Sequence, residues 1–353
     1  PMGNFFFLQL LTVVFALSIA TTLFNKRVLG FPQAIGVPIV SAIFVFILQW
    51  GASLLQGNPF FSINIANIEN AVRHIDFYDF LINGVICFIL TSSALKFKVS
   101  DLRNHWRPIG ILASLALVIC AVLFGLVLYG YQFLIGKHVD LLVLLLLGAA
   151  LGATDPIGIK GVLSSVRAPH HLMVKLEGES LFNDAMCIAL FMTLLNVLQG
   201  ENFTLLGVLQ TLLYEIVVAV FIGVVFGWAI LRILRGKHEM ESLILTTALL
   251  ACGSYLVALL AHASAPIACV IGGLIVGNKW KEILADADIG DVNHFWHTVE
   301  GIINSFLFTL IGLELFIIDL STSLVLGGIV AFIILHLARF LANHLSFALF
   351  PRM

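Results

Sequence analysis

Charge is scarce in this sequence. Of 353 residues, 18 are basic and 20 acidic, 11% in all, while 60% are hydrophobic and the mean hydropathy is +1.08. Soluble domains carry about a quarter charged residues, so a water-facing surface for a chain of this length cannot be assembled here and lipid must be the main solvent. Cysteine is equally thin. Cys87, Cys120, Cys187, Cys252 and Cys269 each lie within an apolar run and form no paired spacing, which excludes a disulfide framework or a zinc-ligand pattern and leaves packing as their role. The net charge is -2 and no dense run of Lys or Arg exists to neutralise phosphates, so nucleic acid is excluded as a partner. No basic n-region precedes the first apolar run, which therefore reads as a helix of the mature protein and not a cleaved leader. No Thr-Val-Gly-Tyr-Gly filter and no His-Glu-x-x-His spacing occurs, against a carbonyl-filter channel and a zinc hydrolase.

Long apolar runs are abundant. Eleven segments of roughly spanning length, about 20 residues each, run over 5–24, 32–55, 77–95, 108–131, 141–163, 172–198, 204–231, 243–261, 265–278, 298–318 and 323–350. The ninth is short and interrupted by Pro266, Gly272 and Gly273, as expected of a tilted, re-entrant or protein-buried helix. Fifteen of the eighteen basic residues fall in connections after odd-numbered segments. Arg73 and Lys137 alone follow even-numbered ones, and Arg339 lies inside the eleventh. The positive-inside rule then puts the odd connections in the cytoplasm and the N-terminus outside. The longest polar stretches, 56–76 and 279–297, are loop-sized, so residues 1–353 read as one transmembrane domain of an all-α polytopic membrane protein.

Ionisable residues at membrane depth cost roughly 2.5 to 3.5 kcal/mol on insertion scales and mark transport by default. Two segments hold most of them. In the fifth, Pro156 removes a backbone donor between Gly152 and Gly158, so a broken helix is expected at Thr154, Asp155 and Pro156. A break at mid-membrane exposes free carbonyl and N–H groups of the kind transporters use to hold a dehydrated ion. The plainer alternative is a proline kink with Asp155 capping the next half-helix. In the sixth segment, Glu179 and Asn183, and Ser180 and Asp184, are i, i+4 pairs forming two adjacent stripes of one face. Asp184 lies deepest, so its ionised form pays the largest desolvation cost, and it can hold a proton or a small cation but not both well. Glu177 and Glu179 also suit the start of a cytoplasmic helix. Arg339 needs a carboxylate at membrane depth. Glu179 is the expected partner, with pairing to Glu314 or snorkelling to the helix end as alternatives.

At these residues the sequence resembles the sodium/proton exchanger family of the monovalent cation/proton antiporters, and in particular its bacterial NhaP-like members. The specific matches are Ala153-Thr154-Asp155-Pro156 and Gly178-Glu179-Ser180-Leu181-Phe182-Asn183-Asp184. Weaker ones are Ala94-Leu95 followed by Asp101-Leu102-Arg103, Phe295-Trp296, Asn304, Phe308 through Glu314, and Arg339. The resemblance implies an inverted-repeat antiporter architecture in which Asp184 carries the ion and the proton, Thr154, Asp155, Asn183 and Ser180 help bind, and Glu179 pairs structurally with Arg339. Ser92, beside Thr91 and Ser93, stands near the place where many members have a third-helix glutamate, so a cation contact there would be through hydroxyls. His297 stands where glutamate is frequent. The family's Gly-Gly-Leu-Arg-Gly-type second broken helix and final span are missing, so the family implies thirteen spans against eleven here, and the chain, which begins Pro1-Met2, reads as truncated at its C-terminus.

The expected function is electroneutral antiport of Na+, with Li+ or K+ as alternatives, against H+ by alternating access. Asn183 is neutral, so positions 183 and 184 offer one titrating carboxylate, which one proton or one monovalent cation neutralises equally. No cofactor and no metal beyond the transported cation is implied. The resemblance implies a homodimer, and the compact, tail-free form suggests the bacterial inner membrane, with a role in pH homeostasis. An ion channel or a non-transporting membrane scaffold is the main alternative. Among the histidines His170, His171, His262, His294 and His297, only His294 and His297, near Asp286, Asp288 and Asp291, suggest a pH-sensing loop.

Overall fold

The computed structural model describes residues 3–54, 80–154, 169–200, 205–236, 239–316, 318 and 321–349. Every regular element among them is helical. Twelve α-helices follow in order: α1 (Gly3–Phe24), α2 (Gln33–Leu54), α3 (Ile86–Lys96), α4 (Val99–Gly110), α5 (Ala116–Leu134), α6 (Leu141–Leu151), α7 (His170–Leu198), α8 (Leu205–Ile233), α9 (Met240–Leu260), α10 (Ala265–Lys279), α11 (Asp286–Leu313) and α12 (Thr322–Leu349). Single π-turns at Asn25–Leu29, Phe80–Val85 and Ile111–Leu115 adjoin α1, α3 and α5. The chain divides into two compact units, one drawn from residues 1–85 and 298–325 and the other from 86–156, 167–297 and 326–353.

In the first unit, the stretch Val14–Leu29 and the stretch Gln33–Ile47 meet at 109°. Gly30 makes the corner: its φ of 66° is left-handed, and its N–H closes on the Asn25 carbonyl at 2.7 Å, the usual way a helix end is stopped. Asn25 Nδ2 then donates to the Phe31 carbonyl at 2.8 Å. The second half of α11 packs here through the Thr21 and Thr309 hydroxyls, 3.3 Å apart, and through Phe15 against Phe306 at 5.8 Å between rings. Gly312 lets α11 approach Pro38 and Ala42 of α2 closely, since a Cβ would fall 3.0 Å from the Pro38 carbonyl oxygen.

The second unit is organised around α10. This helix is buried along most of its length and packs against α3, α7, α8 and α9. Glycines make the packing possible. A Cβ on Gly273 would lie 2.7 Å from Ala94 Cβ, one on Gly277 would fall on the Leu95 carbonyl, and one on Gly223 of α8 would lie 2.6 Å from the Ala268 carbonyl oxygen. Small residues at helix contacts are what bring backbones together in lipid, where hydrophobic association is weak. The short ninth segment of the sequence is therefore a protein-buried helix with Pro266 in its first turn, where the missing N–H costs nothing. On the other side, Gly148 of α6 seats against the Ala121 carbonyl of α5, and Ala338 and Ala342 of α12 pack on Cys120 and Phe124.

The expectation of about eleven full spans is not confirmed. Among the described residues five helices are long and apolar enough to cross a bilayer: His105–Leu134, His171–Leu198, Leu206–Ile233, Met240–Leu260 and Thr322–Leu349. The count is six if the bent pair at Gly30 is one span. The difference has local causes. The fifth segment stops as an 11-residue helix at Leu151, the third holds only an 11-residue α-helix, and the ninth has 15 residues. Hydropathy over a window counts apolar residues whether the helix runs through or ends. On α12, Leu326, Ile329, Phe332, Ile333, Leu337 and Phe340 are exposed, as expected of a face toward lipid.

Candidate functional site

The site forms where α6 ends beside the middle of α7. Leu151 closes α6, and Ala153 and Thr154 continue in non-helical conformation, so the helix ends just ahead of Thr154-Asp155-Pro156. Asp155 and Pro156 lie outside the described residues. α7 starts after Pro169, whose ring is compatible with a helix start, and runs unbroken for 29 residues. Gly178 brings α7 against α3 and α4, because a Cβ there would lie 2.6 Å from Ile109 Cδ1.

Two residues tie α7 to the broken end of α6. Cys187 Sγ–H donates to the Ala149 carbonyl at 2.8 Å. One turn earlier, the fully buried Asn183 carboxamide lies 3.0 Å from Thr154 Oγ1. The donors Thr154 N–H, at 3.2 Å, and Arg339 Nη2, at 3.1 Å, converge on the same side of that carboxamide, so its oxygen, not its NH₂, must face them and accept from Thr154 Oγ1 as well. Asn183 thus supplies an acceptor to three donors.

Arg339 projects from α12 into this corner. Its Nη2 donates to Glu179 Oε1 at 2.7 Å, with both side chains largely buried, and its Nη1 donates to the Gly152 carbonyl at 3.1 Å. Glu179 and Asn183 are four residues apart on α7, so one guanidinium serves both and the carbonyl end of α6 as well. A buried charge is tolerated when it is paired and its remaining donors are used, and Arg339 meets both conditions. The contacts to Gly152 and Asn183 are not legible in the sequence, because they depend on where α12 lies; the contact to Glu179 is the pairing weighed above.

Ser180 is buried on the neighbouring stripe of α7, and Asp184, one turn further, is half-buried. Asp184 thus follows Ser180 along the stripe of α7 adjoining Glu179 and Asn183. Ser92 is buried on α3, a helix that packs against α10 and α7. A charged residue passed over in the sequence, Glu215 of α8, is also buried and lies against Thr193 of α7. Its signal was a single carboxylate in an otherwise apolar stretch.

What this corner can do follows from its parts. It presents hydroxyl and carbonyl oxygens at a helix break, one half-buried carboxylate beside them, and a guanidinium whose charge is already matched by Glu179. Such a set suits a small dehydrated monovalent cation or a proton.

The model of the family "Sodium/hydrogen exchanger, transmembrane" matches residues 14–351. The chain is 35% identical over 331 residues to the Na(+)/H(+) antiporter NhaP of Pseudomonas aeruginosa, covering 92% of this chain and 77% of that protein. It is 30% identical over 269 residues to the Na(+)/H(+) antiporter NhaG of Bacillus atrophaeus, covering 74% of this chain and 49% of that one. The fold is similar to the structure of the sodium proton antiporter MjNhaP1 from Methanocaldococcus jannaschii at pH 8, with a TM-score of 0.74, 18% identity, and coverage of 97% of this chain and 79% of that one. With a helix that ends before Thr154, a buried Glu179-Ser180-Asn183 face beside it and a family match over nearly its whole length, the chain belongs to the sodium/hydrogen exchanger family.

Proposed function

We propose that the protein exchanges Na+ for H+ across the membrane, one for one, with cation and proton competing for Asp184. The observation that carries this reading is the division of labour on α7. Arg339 and Glu179 neutralise each other and hold Asn183 and Thr154 in place, and in this reading Asp184, on the adjoining stripe of α7, is the carboxylate that titrates. Asn183 accepts three hydrogen bonds and carries no charge. A single carboxylate neutralised by either cargo gives an electroneutral cycle, and the coupling is obligatory because an empty, charged Asp184 pays the full cost of crossing a low-dielectric region.

In this reading Thr154, Asp155 and Ser180 contribute oxygen ligands, and Ser92 reaches the path from α3. Li+ or K+ enters by the same chemistry with different fit. Alternating access rocks the domain that contains α6 and α7 against a scaffold, in a protein that works as a homodimer in the bacterial inner membrane with its N-terminus outside. The relatives named as Na(+)/H(+) antiporters favour Na+ as the cation.

The test is cation-driven proton movement in proteoliposomes at clamped membrane potential, for the protein and for Asp184→Asn. Exchange indifferent to potential and abolished by Asp184→Asn is the expected result. A current that persists without proton coupling would replace this reading by a channel.

A further inference from the structure

Between Lys96 and Arg107 the chain carries four basic residues, Lys96, Lys98, Arg103 and Arg107, against one acidic residue, Asp101. This is the stretch in which α3 ends and α4 begins. α4 does not run straight. His105 has φ −128° and ψ 16°, outside the helical range. Pro108, three residues on, cannot donate to the Asn104 carbonyl and crowds it, the usual cause of such a kink. The apolar span His105–Leu134 starts at that kink. Residues 99–104 therefore form a short helical arm leading into a span, and Trp106 and Arg107 stand in the span's first turn, at the depth where hydrocarbon gives way to headgroups.

The two sides of α4 differ. Leu102 packs on the main buried cluster of this unit, and Ile109, only 1% exposed, lies with Phe97 against Gly178 of α7. Arg103, Trp106 and Arg107, spaced i, i+3 and i+4, are on the outer side and exposed, Trp106 at 59%, and Val99 is exposed with them. The guanidinium carbon of Arg107 lies 5.5 Å from the centre of the Trp106 ring. An indole favours the boundary between acyl chains and headgroups, and the planar fork of arginine matches a phosphate. Water alone does not account for an exposed indole between two arginines; a phosphate with acyl chains beneath it does.

We propose that the outer side of α4 binds an anionic phospholipid, its phosphate held by Arg103 and Arg107 and its acyl chains lying against the Trp106 ring. A lipid, not a soluble phosphate, is the occupant because covalent structure fixes the depth: apolar α3 precedes the arm and an apolar span follows it. On the positive-inside reading the lipid belongs to the cytoplasmic leaflet, whose anionic headgroups attract basic segments beside a span. α4 is seated on α7 at Gly178, one residue before Glu179, so a lipid on the outer side of α4 bears on the helix that carries the candidate site.

Quenching by brominated lipid reads this site alone. The chain has five tryptophans, so the Trp106 signal is the difference between the protein and Trp106→Phe. Both are reconstituted in mixtures of phosphatidylcholine and phosphatidylglycerol, with bromine near the top of the acyl chains of one lipid or the other. Brominated phosphatidylglycerol should quench Trp106 at a lower mole fraction than brominated phosphatidylcholine. Arg103→Gln with Arg107→Gln should reduce that preference by about fivefold for each arginine lost. Arg103→Lys with Arg107→Lys should keep part of it, because the charge stays and the fork goes. Equal quenching by the two lipids overturns the proposal, as does a preference that survives the double glutamine variant or a Trp106 that neither lipid quenches. A preference abolished by glycerol 3-phosphate would overturn it too, by assigning the arginines to a soluble phosphate. The readout needs no transport, so its failure and a failure of the antiport reading are distinguishable.

Discussion

Arg339 Nη1 donates to the Gly152 carbonyl at 3.1 Å, which sets a cation on the carbonyl end of α6. The last carbonyls of a helix lack intrahelical partners and carry the negative end of its dipole, so a guanidinium there is favoured twice. Arg339 therefore does more than neutralise Glu179. It caps the half-helix whose broken end holds Thr154.

Removing that cap should be severe and specific. Arg339→Ala leaves Glu179 buried without its counter-charge, a loss of about 3 to 5 kcal/mol for pairs of this kind. Arg339→Lys keeps the charge but not the fork that reaches Glu179, Gly152 and Asn183 together, and should recover only part of the loss. Glu179→Gln combined with Arg339→Gln should be less damaging than Arg339→Ala alone. Melting temperatures of the three variants in one detergent decide this, and an Arg339→Lys protein as stable as the parent would mean that charge alone matters.

Asn183 makes a separate prediction. Asn183→Leu preserves volume roughly but removes the acceptor shared by Thr154 Oγ1, Thr154 N–H and Arg339 Nη2. Leaving buried donors unsatisfied costs about 1 to 3 kcal/mol. Thr154→Val should cost less stability, since Thr154 is half-buried and keeps its N–H bond to Asn183. On the exchange reading Thr154→Val instead raises the KM for cation at nearly constant maximal rate. Equal losses of stability in both variants would contradict this ordering.

The end of α6 at Leu151, just ahead of Thr154, was legible because Gly152 and Thr154 act through local backbone chemistry, which needs no tertiary information. The same holds for the spacing of Glu179, Ser180, Asn183 and Asp184, which a helix of any orientation places on adjoining stripes. The number of full spans is not confirmed among the described residues. Hydropathy is blind to a helix that ends inside an apolar run, as α6 does at Leu151, and to one that is apolar because protein surrounds it, as α10 is. The orientation of the Asn183 carboxamide was likewise out of reach, because it is set by Arg339 from a helix more than 150 residues away.

Close packing through glycine gives a prediction independent of transport. Gly277→Ala would drive a methyl group into the Leu95 carbonyl, backbone that cannot turn aside, and Gly273→Ala would press on Ala94 Cβ at 2.7 Å. Overpacking of this kind costs typically about 1 to 3 kcal/mol. Gly328→Ala, on α12 with nothing within 4 Å of the added carbon, should be neutral or mildly stabilising through helix propensity. Fluorescence-detected gel filtration after heating should rank Gly328→Ala highest and Gly277→Ala lowest. A tolerated Gly277→Ala would place α3 and α10 further apart than described.

On the exchange reading, competition for one carboxylate has a pH signature with a definite sign. While Asp184 is ionised at the pH of the assay, protons barely compete and the apparent KM for Na+ is flat. As pH falls below the half-titration point of Asp184, protonated carrier accumulates and the apparent KM rises about tenfold per pH unit, with the maximal rate unchanged so long as the opposite side remains alkaline. Ser180→Ala removes a buried hydroxyl one turn from Asp184 without touching its charge. It should raise the KM for cation in the flat region, while the slope at low pH stays the same because one proton is still bound per carboxylate. Initial rates of proton movement at several Na+ concentrations, for the protein and for Ser180→Ala, test both statements at once. A slope near a hundredfold per unit would require two protons per cation, and with Asn183 neutral the second would have to come from another carboxyl than the pair at 183 and 184.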